Sequence, residues 1–298
     1  MDVTEPLEIR SMYESSKKVI QGEMEESIED LMKFTGSGAS AGGARAKAII
    51  VWNYKTNEII SGVSDVPSGF EHWLVKFDMV DDHKKSLDFT KLEYLYMSMA
   101  KDCDINVPEI RMIEDRDLNH FMIKRFDREG NNKIHMHSLV SMMHIDFNLP
   151  QHYSYDEALR VVWFISKDKR DVIEFFRRCV FNVIARNQDD HAKNTSFMMS
   201  KDGVWSLSKA YDITYDNGAM YTKNHQMSIR GKVNGFKVDD LLMLAKDADI
   251  KRKTAERIIS SVINVVSCFR QRAESFGIRE DLIALVEKDL RIKIIEGI

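Results

Sequence analysis

Near residues 125–135 the apolar side chains change from the short alternating runs of strands to the three-to-four-residue repeat of helices. That switch limits the 298-residue chain to an α+β architecture in two parts, expected as 1–125 and 126–298. Before it lie β-rich segments at 48–54, 58–62, 72–78, 109–114 and 120–127. One helix over 86–101 carries Leu92, Leu95, Tyr96 and Met99 on a single face, and a charged helix is expected over 6–33. After the switch, helical spacing dominates at 156–167, 171–185, 254–276 and 280–290. The stripe Val172, Phe175, Phe176 and Cys179 reads as core.

Composition removes several classes. With 43 Lys and Arg against 47 Asp and Glu, the net charge of −4 lacks the basic excess of a non-specific nucleic-acid binder. No apolar run approaches the ~18–20 residues of a membrane span. Three scattered cysteines, at 103, 179 and 268, suit neither a disulfide framework nor a zinc cluster, and they point to a reducing, cytoplasmic setting.

Chemistry concentrates in 187-NQDDHAKN-194, followed after a short strand-like pair by 210-AYDIT-214. An Asp, an Asn five positions later and a further Asp form the spacing of a kinase catalytic loop, in which one carboxylate faces the attacking hydroxyl and the other two groups hold magnesium. Asp189 to Asn194 gives that interval and Asp190 does not, so Asp189 is the expected base and Asp190 a flanking residue. Asp212 is the expected second metal ligand. A turn between a helix and a strand uses the same residue types, so this run alone does not decide. His191 and Lys193 share the loop, His191 as a brace or a phosphate contact rather than a proton shuttle.

Two further features stand in the β-rich part. The run 36-GSGASAGGARAK-47 can bring backbone N–H groups close to phosphate oxygens, although it lacks the closing G-K-[ST] of a Walker A loop; a flexible linker would look similar. Lys76 is the single Lys of the strand 72-HWLVKFD-78, and Glu93 lies on the helix that follows. Strand Lys paired to helix Glu, the ammonium facing nucleotide phosphates, is the kinase arrangement; an edge Lys and a solvated Glu are the plain alternative. The order of Gly-rich loop, strand Lys, helix Glu, D-x-x-x-x-N and metal Asp is much harder to obtain by accident.

In 40-SAGGARAK-47, Lys76, 123-IKRFDR-128, 189-DDHAKN-194 and 211-YD-212, in that order, the chain resembles the HipA-like serine/threonine kinases, toxins of bacterial toxin–antitoxin pairs. Ordinary protein kinases would show H-R-D and D-F-G, and this chain has neither. The resemblance implies a two-lobed protein-kinase-like fold with a β-rich N-lobe and an all-helical C-lobe, and ATP and Mg²⁺ as cofactors. Gly42, Gly43, Ala44, Arg45, Ala46 and Lys47 would form the phosphate loop, and Lys76 would meet the phosphates with Glu93 as its ion pair. Lys124, Arg125 and Phe126 would be the hinge under adenine. Asp189 would be the base, His191, Lys193 and Tyr211 would line the nucleotide side, and Asn194 with Asp212 would bind the metal. Ser40 matches the family's self-phosphorylated serine, whose modification would place about −1.5 to −2 charges where ATP phosphates must sit.

The chain resembles the short, HipT-like form, in which an N-terminal subdomain is missing or supplied by a separate small protein. The implied partners are a cognate antitoxin, either a HipB-like DNA-binding protein or that small protein, and a protein substrate such as an aminoacyl-tRNA synthetase. Direct nucleic-acid or membrane contact by this chain is not expected. The competing readings are a phosphotransferase on a small-molecule hydroxyl, a non-catalytic co-repressor that binds an antitoxin, and a metal hydrolase built on Asp189, Asp190, His191 and Asp212, which would leave Lys76 unused.

Overall fold

The structure, a computed structural model, describes residues 8–20, 46–61, 66–83, 85–146, 149, 151–218 and 220–294. It divides into two compact units, one of residues 1–94 and 108–133 and the other of residues 95–107 and 134–298.

The first unit holds α1 (Ile9–Ile20), β1 (Lys47–Asn53), β2 (Glu58–Ser61) and β3 (Glu71–Lys76). Then come α2 (Phe89–Asp102), within which the division falls, β4 (Ile110–Asp115), β5 (Leu118–Lys124) and the two-residue strands β6 (Arg128–Glu129) and β7 (Asn132–Lys133). Strands one to five form one antiparallel sheet in the order β2-β1-β3-β5-β4. Alternate residues share a face, so Ala48, Ile50 and Trp52 of β1 meet Trp73 and Val75 of β3 in one apolar layer. Met12 and Tyr13 of α1 are buried against that layer. The register opposes Lys47 to Lys76, and Lys76 to Phe121 on β5.

The second unit begins with β8 (His135–Ser138), α3 (Leu139–Met143), β9 (Tyr153–Ser154), α4 (Tyr155–Ser166) and α5 (Lys169–Ala185). It continues through β10 (Ser196–Met199), β11 (Trp205–Leu207) and β12 (Met227–Ser228) to α6 (Val238–Asp247), α7 (Arg252–Ser267), α8 (Phe269–Ser275) and α9 (Glu280–Asp289). Ser154 and Glu157 form a reciprocal capping box at the start of α4. The expected core stripe is buried on α5, which packs against α4 and α7 and is apolar on most of its circumference. Arg186, in the left-handed region at φ 60°, ends α5 and turns the chain into the 187–194 loop.

Two expectations need amendment. The second unit is helical in bulk but not throughout: β11, β10 and β8 form an antiparallel sheet, and β12 pairs in parallel with β9. The helix expected over 254–276 is two helices, because Cys268 leaves helical geometry at ψ 7° and its N–H is shared by the Val265 and Val266 carbonyls. Neither Gly nor Pro marks that break, so periodicity runs through it. Of the long N-terminal helix, residues 21–33 lie outside the described residues.

Candidate active site

The second unit builds its site at the exit of α5. A parallel bridge between Asn187 and Asp216 anchors the loop, supported by Gln188 N–H donating to the Asp216 carbonyl at 2.9 Å and Asp216 N–H to the Arg186 carbonyl at 3.1 Å. The loop closes in a 3₁₀ turn, Ala192–Asn194, where Asn194 N–H donates to the His191 carbonyl. Asn194 Nδ2 donates to the Asp189 carbonyl at 3.0 Å, tying the two ends of the D-x-x-x-x-N run together. That bond fixes the amide orientation and leaves Oδ1 as the atom able to ligate. Ser196 then enters β10, whose partner β11 leads the chain back to Tyr211 and Asp212.

Tyr211 holds the return segment against the loop. Its hydroxyl donates to the Lys193 carbonyl at 2.7 Å and, having one proton, accepts from Ser196 Oγ at 2.5 Å. Burial pushes this phenol up to about 12, so it remains a donor at neutral pH. Asp212 follows in the left-handed region at φ 58°, a conformation that costs a β-carbon-bearing residue about 1 kcal/mol and is held here by its neighbours. Asn194, Asp212, His191 and Asp190 line one small cavity with Tyr155 and Arg178.

Asp189 retains 40% of its side-chain exposure, and His191 Nε2 lies 3.6 Å from its Oδ1. Burial, the larger effect, together with the charges of Asp216, Asp212 and Asp190, pushes the Asp189 carboxyl upward against a lowering by His191. A concentration of negative charge at a site presenting an amide oxygen and a carboxylate suits a hard divalent cation. No group of three or more His, Cys, Asp or Glu poised for a metal exists among the described residues. An ion held by Asn194 and Asp212 would therefore complete its shell with water and phosphate, as Mg²⁺ does with nucleotides.

Asp190, which the sequence placed as a flanking residue, is wholly buried. Its Oδ2 accepts from the Tyr155 hydroxyl at 2.7 Å and His225 Nδ1 at 2.6 Å, and its Oδ1 from the Gln226 N–H at 2.7 Å. The doubled Asp was its only local sequence signal.

In the first unit Lys76 Nζ lies 2.5 Å from Glu93 Oε1, and the Glu93 side chain is 1% exposed. Lys47 opposes Lys76 across β1 and β3, so both ammonium stems rise from one face of the sheet. Like charges directly opposite destabilise a strand pair, and an anion near them offsets the repulsion. Lys124 ends β5 and pairs with Glu71 at 2.5 Å. Arg125 N–H donates to the His72 carbonyl, while its guanidinium makes a fork with Asp127, which Arg128 also contacts. Phe126 is half-buried beside them, and Ala46 and Lys47 lead into and open β1. Ser40, Gly42, Gly43, Ala44 and Arg45 lie outside the described residues.

Comparison with solved structures finds this α+β fold in a bacterial toxin. The Shewanella oneidensis MR-1 toxin HipA, solved in the HipA, HipB and operator DNA complex, aligns over all of this chain and 73% of its own, with TM-score 0.70 and 17% identity. A Helicobacter pylori proinflammatory kinase, CtkA, aligns over 75% of this chain and 89% of its own at TM-score 0.44 and 12% identity. The sequence model of the HipA-like C-terminal domain matches residues 39–269, and the chain belongs to that family.

Proposed function

We propose that the protein is an ATP- and Mg²⁺-dependent kinase that transfers a phosphoryl group to a serine or threonine hydroxyl. The observation that carries this reading is the tie between Asp189 and Asn194, with Asp212 lining the same small cavity as Asn194. Asp189 orients the acceptor hydroxyl and takes its proton as the hydroxyl oxygen bonds to the γ-phosphorus and the bond from that phosphorus to the β,γ-bridging oxygen breaks, releasing ADP. The Asn194 amide oxygen and the Asp212 carboxylate hold the metal, which when bound neutralises charge on the phosphate oxygens. Lys76, fixed by Glu93, gives a positioned cation for the nucleotide phosphates, and Lys47 adds a second. The 36–47 run supplies backbone donors, Lys124 to Phe126 the adenine contact, and His191, Lys193 and Tyr211 the support of the phosphate side.

In the cell this activity makes the chain the toxin of a toxin–antitoxin pair. The likeness to a HipA solved with HipB and operator DNA supports an antitoxin partner, through which any DNA contact is made. The substrate is a translation component such as an aminoacyl-tRNA synthetase, and Ser40 is a site of self-modification. The test is transfer from labelled ATP to synthetase proteins and to small alcohols. Labelled protein that disappears in Asp189→Asn supports the reading, and transfer to small alcohols alone would replace it with a small-molecule phosphotransferase.

A further inference from the structure

The buried carboxylate of Asp190 belongs to a chain of contacts that reaches a segment beyond residue 269, where the family match ends. His225 is fully buried, with Nδ1 at 2.6 Å from Asp190 Oδ2 and Nε2 at 2.9 Å from Arg291 NH1. A guanidinium only donates, so Nε2 must accept; the imidazole is neutral and its one proton sits on Nδ1, facing Asp190. This fixes both the tautomer and the ring orientation. Phe236 packs edge-on to His225 at 5.2 Å and beneath the Arg291 guanidinium at 5.3 Å, closing the far side.

Arg291 is tied in turn to the helix that launches the catalytic loop. Its N–H donates to the Ile184 carbonyl at 2.9 Å, and its NH1 also donates to the Val183 carbonyl at 2.9 Å. These carbonyls belong to the last turn of α5, which lacks onward helical partners and attracts a cation. NH2 reaches Asn234 Oδ1 at 2.5 Å and approaches Gln188 Oε1, inside the loop, at 3.4 Å. Arg291, two residues beyond α9, therefore grips the helix end, the loop and the imidazole together.

We infer that Arg291, His225 and Asp190 form a positioning relay, by which the C-terminal segment sets the orientation of the neighbouring Asp189 and of the turn carrying Asn194. Asp190 shares a peptide bond with Asp189, so three donors on one carboxylate limit rotation of the Asp189 backbone. The relay acts on geometry and touches neither nucleotide nor acceptor. Misplacing a reacting group by about 1 Å lowers the rate by about 10²-fold, so a positioning loss falls on kcat.

The inference rests on the kinase reading, and its test separates the two. Full-length wild type, His225→Leu, His225→Asn and Arg291→Met are compared by hydrogen exchange of the 187–195 amides and by kcat and KM for ATP. His225→Asn places an amide donor near the former Nδ1 position. The expected result is at least about tenfold faster exchange of the loop in His225→Leu and Arg291→Met, with buried α5 amides unchanged, and recovery in His225→Asn. With an active enzyme, kcat falls about 10- to 100-fold in the same two variants while KM changes less than about twofold. Loop exchange unchanged in His225→Leu overturns the relay whether or not the chain transfers phosphate. Wild-type kcat in an active His225→Leu does so equally. Absence of transfer by wild type, with the exchange pattern as expected, removes the kinase reading and leaves the relay standing.

Discussion

Lys76 and Glu93 meet at 2.5 Å, the ammonium on β3 and a carboxylate on α2 that is 1% exposed. Glu93 therefore sets where the Lys76 charge sits. Glu93→Gln leaves the ammonium, itself 13% exposed, without its carboxylate, and is expected to destabilise the chain by about 3 kcal/mol in urea unfolding. If the lysine meets nucleotide phosphate, the KM for ATP also rises about tenfold or more. A variant with wild-type stability and wild-type KM would show the pair to be idle.

On the proposed function, the Asn194 amide and the Asp212 carboxylate carry the metal requirement. Asn194→Ala removes both the candidate ligand and the donor to the Asp189 carbonyl, whereas Asp212→Asn keeps the shape and removes one charge. Both variants are expected to shift the Mg²⁺ dependence of transfer upward about 10- to 100-fold. A magnesium titration of transfer checks this, and unchanged half-saturation in both variants argues against these ligands.

Stability of the first unit should fall in mild acid. His120 is fully buried against Phe77 and the Tyr13 ring, and its Nδ1 accepts the Asp78 N–H at 3.0 Å. Burial pushes its titration below the ordinary 6.5, so between that value and the lowered one the unfolded chain binds the additional proton. The contribution is complete above 6.5 and is lost as the pH drops towards the lowered value. Urea midpoints measured from pH 8 to pH 5 should decline more steeply for wild type than for His120→Gln. Parallel curves would contradict the assignment.

The five-stranded sheet and the core stripe of α5 were legible because apolar spacing alone dictates which face is buried. The pairing of Lys76 with Glu93 was legible because one is the single Lys of its strand and the other the single Glu of the helix that follows. The Asp190 network was not, because its donors come from Tyr155, His225 and Gln226, each about 35 residues away, and no local pattern records which loops meet. The break at Cys268 was hidden for the opposite reason, since helical spacing continues across a bend that preserves the buried face. The sequence separated Asp189 from Asp190 by one interval to Asn194, and the structure separates them by environment, one 40% exposed and the other sealed.

The central claim is that Asp189 drives phosphoryl transfer from ATP. Its most direct test is intact and peptide mass spectrometry of full-length wild type and Asp189→Asn after incubation with ATP and Mg²⁺, with melting curves to establish that both are folded. Phosphate on Ser40 in wild type, absent from folded Asp189→Asn, is the expected result. Equal phosphate on both proteins, or none on wild type together with no transfer to any protein or small hydroxyl offered, would contradict it.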